Sequence, residues 1–264
     1  MRLIATDLDG TILRPDGTVS EATRNAFRAA REAGVVVLPV TGRPTRWLGV
    51  IREGLGELGT VICSNGAILY DDPTSEVLES TVLDVDVLQQ AQEVVRSIAP
   101  DAVFAAETVT GLHLEPGFAT DTAAREGVTE AAFDARRLAD EGVVKFLAKR
   151  PSGSAVSFHD LVAPTLSPLL ALTHSVPGIP LLEMAALGVD KAVTLARYAQ
   201  SLGVSQDDVV AFGDMPNDIG MLSWAGIGYA VGRDQPLVAA AADQVIGPVG
   251  EDSVAATIMQ LLAR

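Results

Sequence analysis

Leu3-Ile4-Ala5-Thr6-Asp7-Leu8-Asp9-Gly10-Thr11 is the stretch on which the reading of the fold turns. A short apolar run ends abruptly in two acids. Asp7 and Asp9 stand two residues apart, so in extended chain both carboxylates lie on one side. Gly10 lets the backbone turn sharply where they end. Short apolar runs recur over residues 35–40, 61–63 and 209–212 and read as buried strands, the last of them again leading to acids. Helix-length segments separate them. In residues 20–33, Ala26, Phe27, Ala30 and Ala33 share one face and Gly34 closes the segment. Alternating strand and helix predicts a parallel sheet.

The other strand ends add to the chemistry of the first. After the second run comes Thr41-Gly42-Arg43-Pro44, which offers a hydroxyl, a flexible glycine and a guanidinium just before a helix that Pro44 can start. Hydroxyls and helix amino termini suit phosphate oxygens. After the last run comes Gly213-Asp214-Met215-Pro216-Asn217-Asp218, with two more carboxylates and an amide. In open parallel sheets the carboxyl ends of the strands are where ligands bind. Four Asp (Asp7, Asp9, Asp214 and Asp218) converging on one crevice repel one another and need a cation, and a hard divalent ion with oxygen ligands, magnesium above all, suits them. Lys191 sits in the first turn of a helix capped by Asp190, at the end of the dipole that disfavours a cation, and that mismatch points to a functional ammonium.

The middle third reads differently. A helix with Val87, Leu88, Ala91, Val94, Val95 and Ile98 on one face runs over residues 84–99 and is stopped by Pro100. Strand-like pieces follow at 102–106, 111–114, 143–148 and 180–184, with a Pro-interrupted helical piece at 161–172. None ends in acids. Residues 84–183 are therefore expected to be an inserted domain, large enough to close over a small ligand, with residues 1–83 and 184–264 forming one core.

Composition narrows the function. The 264 residues suffice for about two domains, and 48% hydrophobic with 20% charged residues is ordinary globular composition. A net charge of −15 repels nucleic acid and anionic lipid, so an anionic substrate must be drawn in locally. Cys63 is the one cysteine and cannot form an internal disulfide, and His113, His159 and His174 lack zinc-site spacing. The apolar run before Asp7 is too short for a signal peptide, and no apolar stretch is long enough to span a membrane. These features suggest a cytoplasmic protein.

Taken together these residues resemble the haloacid dehalogenase-like superfamily of phosphohydrolases, in particular its Cof-type branch with a large α/β cap. The resemblance runs through Asp7-x-Asp9-Gly10-Thr11, Thr41-Gly42-Arg43, Ser64-Asn65-Gly66-Ala67, Gly188-Val189-Asp190-Lys191 and Gly213-Asp214-x-x-Asn217-Asp218, in order. It implies a Rossmann-like α/β core with an inserted α+β cap. It also implies a magnesium-dependent phosphatase for a small phosphorylated metabolite such as a sugar phosphate. Asp7 would be the nucleophile that carries a phospho-aspartyl intermediate, and Asp9 the general acid and then base. Thr41 and Lys191 would be phosphate ligands, and Gly10, Gly42, Arg43, Asn65, Gly66 and Asn217 would line the substrate site. Asp7, Asp214, Asp218 and the backbone carbonyl of Asp9 would serve the metal.

Arg233-Asp234 and Ser253 depart from the branch, which often has Asn-Ala and Gly there. A phosphomutase of the same superfamily is the main alternative, because it shares the roles of Asp7 and Asp9. A signalling receiver is a weaker one, since a receiver needs neither the insert nor the second acid. Two look-alikes fail on context. Gly54-Leu55-Gly56-Glu57-Leu58-Gly59 follows a helical stretch and precedes a strand, the reverse of a dinucleotide fingerprint. Asp7-x-Asp9-Gly10 lacks the acid that a calcium loop has at its twelfth position, where Thr18 stands.

Overall fold

The computed structural model describes residues 1–118, 128–173 and 179–263. Along the chain run β1 (Leu3–Thr6), α1 (Glu21–Glu32), β2 (Val36–Pro39), α2 (Gly49–Leu55), β3 (Thr60–Cys63), β4 (Ile68–Asp71) and β5 (Glu76–Ser80). Next come α3 (Val85–Ile98), β6 (Val103–Thr108), β7 (Leu112–Leu114), β8 (Thr129–Glu130), α4 (Ala135–Asp140), β9 (Val143–Lys149), α5 (Ala155–Leu166), β10 (Leu170–Thr173) and β11 (Leu181–Ala186). The chain continues with α6 (Lys191–Ser201), β12 (Val209–Gly213), α7 (Ile219–Trp224), β13 (Ile227–Val231), α8 (Pro236–Ala241), β14 (Gln244–Ile246) and α9 (Ser253–Leu262). Two compact units result, Met1–Glu79 with Asp190–Arg264, and Ser80–Val189. The sequence places the divisions four residues later at the first boundary and six earlier at the second.

The first unit is built on a parallel sheet in the order β14-β13-β12-β1-β2. Its central strand β1 pairs with β12 on one side and β2 on the other, Thr6 lying opposite both Phe212 and Pro39. The chain therefore winds in both directions from β1, and a crevice opens where the order reverses. Leu3, Ala5, Leu38, Val40, Val209 and Ala211 form one buried cluster with Leu195 and Ala199 of α6 and Met221 and Leu222 of α7. The alternate residues Ile4, Val37 and Val210 point to the opposite face and are also buried. Burial on both faces is why these strands read as unbroken apolar runs.

β3 leaves this sheet, pairing antiparallel with β4 and touching the parallel sheet through a single bridge between Val40 and Ile62. Helix α1 starts where the sequence places it. Ser20 Oγ accepts a hydrogen bond from the amide of Thr23, which satisfies one donor of the first turn.

The second unit holds a sheet in the order β10-β11-β9-β6-β7-β8. One face carries Phe104, Ala106, Phe146, Ala148, Leu182 and Met184, packed with Leu88, Ala91 and Val95 of α3 and Phe158, Val162 and Leu166 of α5. The helical piece expected at 161–172 is corrected here. The helix begins at Ala155, capped by Ser154, and stops at Leu166, while Leu170–Thr173 is a strand against β11. A short apolar run such as 169–172 has no periodicity by which to tell helix from strand. Among the described residues no helix is long and apolar enough to cross a membrane.

Candidate active site

Asp7, Thr41 and Asp214 lie just past the carboxyl ends of the adjacent strands β1, β2 and β12, so sheet register alone brings three separated segments together. Lys191 enters from the first turn of α6. Its side chain is 1% exposed, and Nζ donates to Asp7 Oδ1 at 2.5 Å and to Asp218 Oδ1 at 2.7 Å. Burial alone would depress the ammonium's pKa. The two carboxylates outweigh it and hold the group charged well above its ordinary range. Burial likewise pushes Asp7 up, against the pull of Lys191.

Asp218 is fully buried and holds its own loop. Its Oδ2 accepts from the amides of Asp214 at 3.0 Å and Met215 at 2.9 Å. Asp214 accepts from Thr11 Oγ1 at 2.6 Å, and burial raises its pKa to about 6, with the Thr11 bond opposing and the Asp218 charge assisting. Gly10 explains how Asp214 comes so close to the first loop. It has φ of +84°, and a Cβ there would overlap the Asp214 carboxylate.

Asp7, Asp214 and Asp218 each offer an oxygen within 4.8 Å of the others. The expectation that four Asp carboxylates converge is corrected in one respect. The Asp9 carboxylate stands outside this trio and is engaged by Arg43, with Nε at 2.7 Å from Oδ2 and Nη2 at 2.5 Å from Oδ1. A protein cation, Lys191, already offsets part of the remaining charge. Among the described residues no hydrogen bond reaches Asp7 Oδ2 or Asp214 Oδ2, so both oxygens are available to a ligand. An all-oxygen, carboxylate-rich donor set of this kind fits a hard divalent ion.

The loop after β2 supplies the other half. The Arg43 amide donates to Thr41 Oγ1 at 3.1 Å, which leaves the threonine's O–H free to donate. Asn65 is fixed by its amide to the Thr41 carbonyl at 3.0 Å, and its Oδ1 accepts from Asn217 Nδ2 at 3.0 Å. Gly42 packs against that amide, since a Cβ there would meet Asn65 Oδ1 at 3.0 Å.

Ser64, Asn65 and Gly66 all have positive φ, at 50°, 57° and 105°. This left-handed turn sets Gly66 on the start of α6. A Cβ at Gly66 would lie 2.5 Å from the Asp190 carbonyl oxygen, and Thr194 Oγ1 donates to the Gly66 carbonyl at 2.7 Å. Gly66→Ala is therefore expected to push back the helix turn that carries Lys191. Activity should fall at least tenfold and the thermal midpoint should drop, in steady-state assays and calorimetry, through about 1–3 kcal/mol of strain. Unchanged values for both would show that the turn does not position Lys191.

Every residue assigned from the sequence falls in or beside this crevice within the first unit. The sequence pattern alone does not single out the roles of Thr11 and Thr194. Thr11 follows the Asp-x-Asp-Gly turn directly, and Thr194 lies one helical turn after Lys191, positions that a reading for partners of the carboxylates and of α6 would pick out.

A family model for haloacid dehalogenase-like hydrolases matches residues 4–258. The 5-amino-6-(5-phospho-D-ribitylamino)uracil phosphatase of Bacillus subtilis strain 168 is 30% identical over 263 residues, covering 98% of this chain and 94% of its own. The pyridoxal phosphate phosphatase of Escherichia coli K12 is 31% identical over 271 residues, covering 96% of each chain. Among solved structures, a phosphatase of the haloalkanoate (HAD) superfamily from Bacteroides thetaiotaomicron superposes with a TM-score of 0.84 at 23% identity, covering 98% of this chain and 94% of that one. That last likeness speaks for the fold.

Proposed function

The chain belongs to the haloacid dehalogenase-like hydrolase family, and from that premise we propose that it is a magnesium-dependent phosphatase of small phosphorylated metabolites, working through a phospho-aspartyl intermediate on Asp7. The observation that carries this reading is the state of Asp7: buried, clustered with Asp214 and Asp218, one oxygen held by Lys191 and the other without a partner among the described residues. That is how a carboxylate nucleophile has to be presented.

Asp7 and Asp214, with the Asp9 backbone carbonyl, would hold the metal, and Asp218 would brace the Asp214 loop and Lys191. Bound there, magnesium would neutralise phosphate oxygens and orient the ester. Lys191 and the Thr41 hydroxyl would take further phosphate oxygens, a role for which Lys191 is already charged and desolvated. One carboxylate oxygen of Asp7 forms a bond to phosphorus as the ester P–O bond breaks, the other being left for the metal. The departing oxygen takes a proton from Asp9. Water then gives a proton to Asp9 and attacks phosphorus, the acyl phosphate bond breaks, and inorganic phosphate leaves with Asp7 restored.

The relatives named above act on small phosphorylated compounds, which supports a substrate of that class. A surface with a net charge of −15 disfavours polyanionic ones. Phosphate release from a panel of sugar monophosphates and pyridoxal phosphate tests the proposal. Activity is expected to vanish with EDTA, to return with magnesium, and not to return with calcium, which takes more oxygens at longer distances and would occupy both oxygens of Asp7. Full activity in calcium alone would overturn the magnesium assignment. Transfer of the phosphoryl group to a sugar without phosphate release would mark a mutase instead.

A further inference from the structure

Asp9 and Arg43 follow neighbouring strands, three residues past Thr6 and four past Pro39, which are opposite each other in the sheet. Their side chains meet in a two-point fork, Nε to Oδ2 at 2.7 Å and Nη2 to Oδ1 at 2.5 Å. The Asp9 side chain is 53% exposed, against 23% for Arg43. Among the described residues its carboxylate accepts from no other side chain. Left to itself, a half-exposed Asp on a turn samples several rotamers.

Arg43 is tied down at its base. Its amide donates to Thr41 Oγ1, and its carbonyl accepts from the amide of Ser64 at 3.0 Å. A guanidinium is rigid and planar, so a fork of this kind fixes both the direction and the plane of the carboxyl group it holds.

We propose that Arg43 is the positioning residue of Asp9, orienting its carboxyl group for proton transfer to the leaving oxygen rather than serving chiefly to bind the substrate's phosphate. This rests on the phosphatase reading and on Asp9 as its general acid. One oxygen of Asp9 stays in the fork while the other releases its N–H and carries the proton. A lysine offers a single point charge on a flexible stem, so it keeps Asp9 nearby without fixing its plane.

Leaving-group dependence separates positioning from binding. An alkyl ester that the wild type hydrolyses needs its departing oxygen protonated, whereas the phenolate of 4-nitrophenyl phosphate leaves unaided. Arg43→Gln is expected to lower kcat/KM about 10- to 100-fold on the alkyl ester, the range for a misaligned catalytic group, and within about threefold on the aryl ester. Arg43→Lys should fall in between. In an Asp9→Asn background, adding Arg43→Gln should cost nothing further on the alkyl ester.

Equal losses on the two esters with a raised KM would make Arg43 a phosphate ligand and overturn the proposal, as would no loss on either. If Arg43→Gln fails to fold by near-UV circular dichroism, the same comparison with Arg43→Lys decides. A wild-type protein that releases phosphate from no ester would sink the phosphatase reading and this proposal together, whereas uniform losses in an active protein sink the proposal alone.

Discussion

Asp7→Asn is expected to lower kcat by at least about 10⁴-fold, the order seen when a covalent nucleophile is removed, while the protein stays folded. An amide has nearly the shape of a carboxylate, and its oxygen can still accept from Lys191 Nζ, which sits 2.5 Å from Asp7 Oδ1. It cannot attack phosphorus to give an acyl phosphate that water reverses. Stability should hold or rise. Burial disfavours the charged form of Asp7, and Lys191 keeps Asp218 as its counter-charge. Steady-state rates with a sensitive phosphate assay and a thermal melt check both parts. A mutant that kept a tenth of the wild-type rate would remove Asp7 from the nucleophile's role.

Lys191→Met is the second substitution with a large expected effect, and it acts on fold and chemistry together. It leaves Asp7 and Asp218 facing a buried apolar side chain with no cation between them. Breaking a buried pair by removing one partner costs about 3–5 kcal/mol. Activity should fall at least about 10²-fold, because a preorganised positive group at the phosphate site is lost. Lys191→Met combined with Asp218→Asn should recover much of the stability in urea unfolding, since one buried charge is gone, and should recover no activity. If the double variant is as unstable as the single one, charge is not the cause of the loss.

The parts of the fold legible in the sequence are those whose physics is local. Val36–Pro39 and Val209–Gly213 are buried on both faces and read as strands directly. The helices at Glu21–Glu32 and Val85–Ile98 announce themselves by apolar spacing and by Ser20 and Asp84 as caps. β5 does not, because all five of its residues are exposed and no buried face leaves a pattern. β13 is apolar and still does not stand out. Gly228 breaks its run, and the structure shows why a glycine stands there, since a side chain would have no room beside the Leu222 carbonyl.

The candidate site divides the same way. Acids at strand ends mark where Asp7 and Asp214 lie, and the unfavourable dipole end marks Lys191. How the carboxylates are shared out was not legible, because it depends on contacts between residues far apart in the chain. Thr11 takes one oxygen of Asp214 across 203 positions, and Arg43 takes both oxygens of Asp9 across 34. Acids at two strand ends argue for four converging Asp. The structure instead sets Asp9 with Arg43 and places Lys191 among the other three, an arrangement set by side-chain rotamers and not by residue spacing.

The account rests most heavily on a covalent phosphoryl group at Asp7. Rapid acid quench of the protein during turnover of an active ester, followed by borohydride reduction and peptide mass spectrometry, reads it directly. An acyl phosphate at Asp7 reduces to homoserine at that position, and this is the result expected. Reduction at Asp9 or another acid in an active sample would contradict the assignment of the nucleophile. Phosphate release with no reducible acyl phosphate at any residue would contradict the covalent mechanism itself.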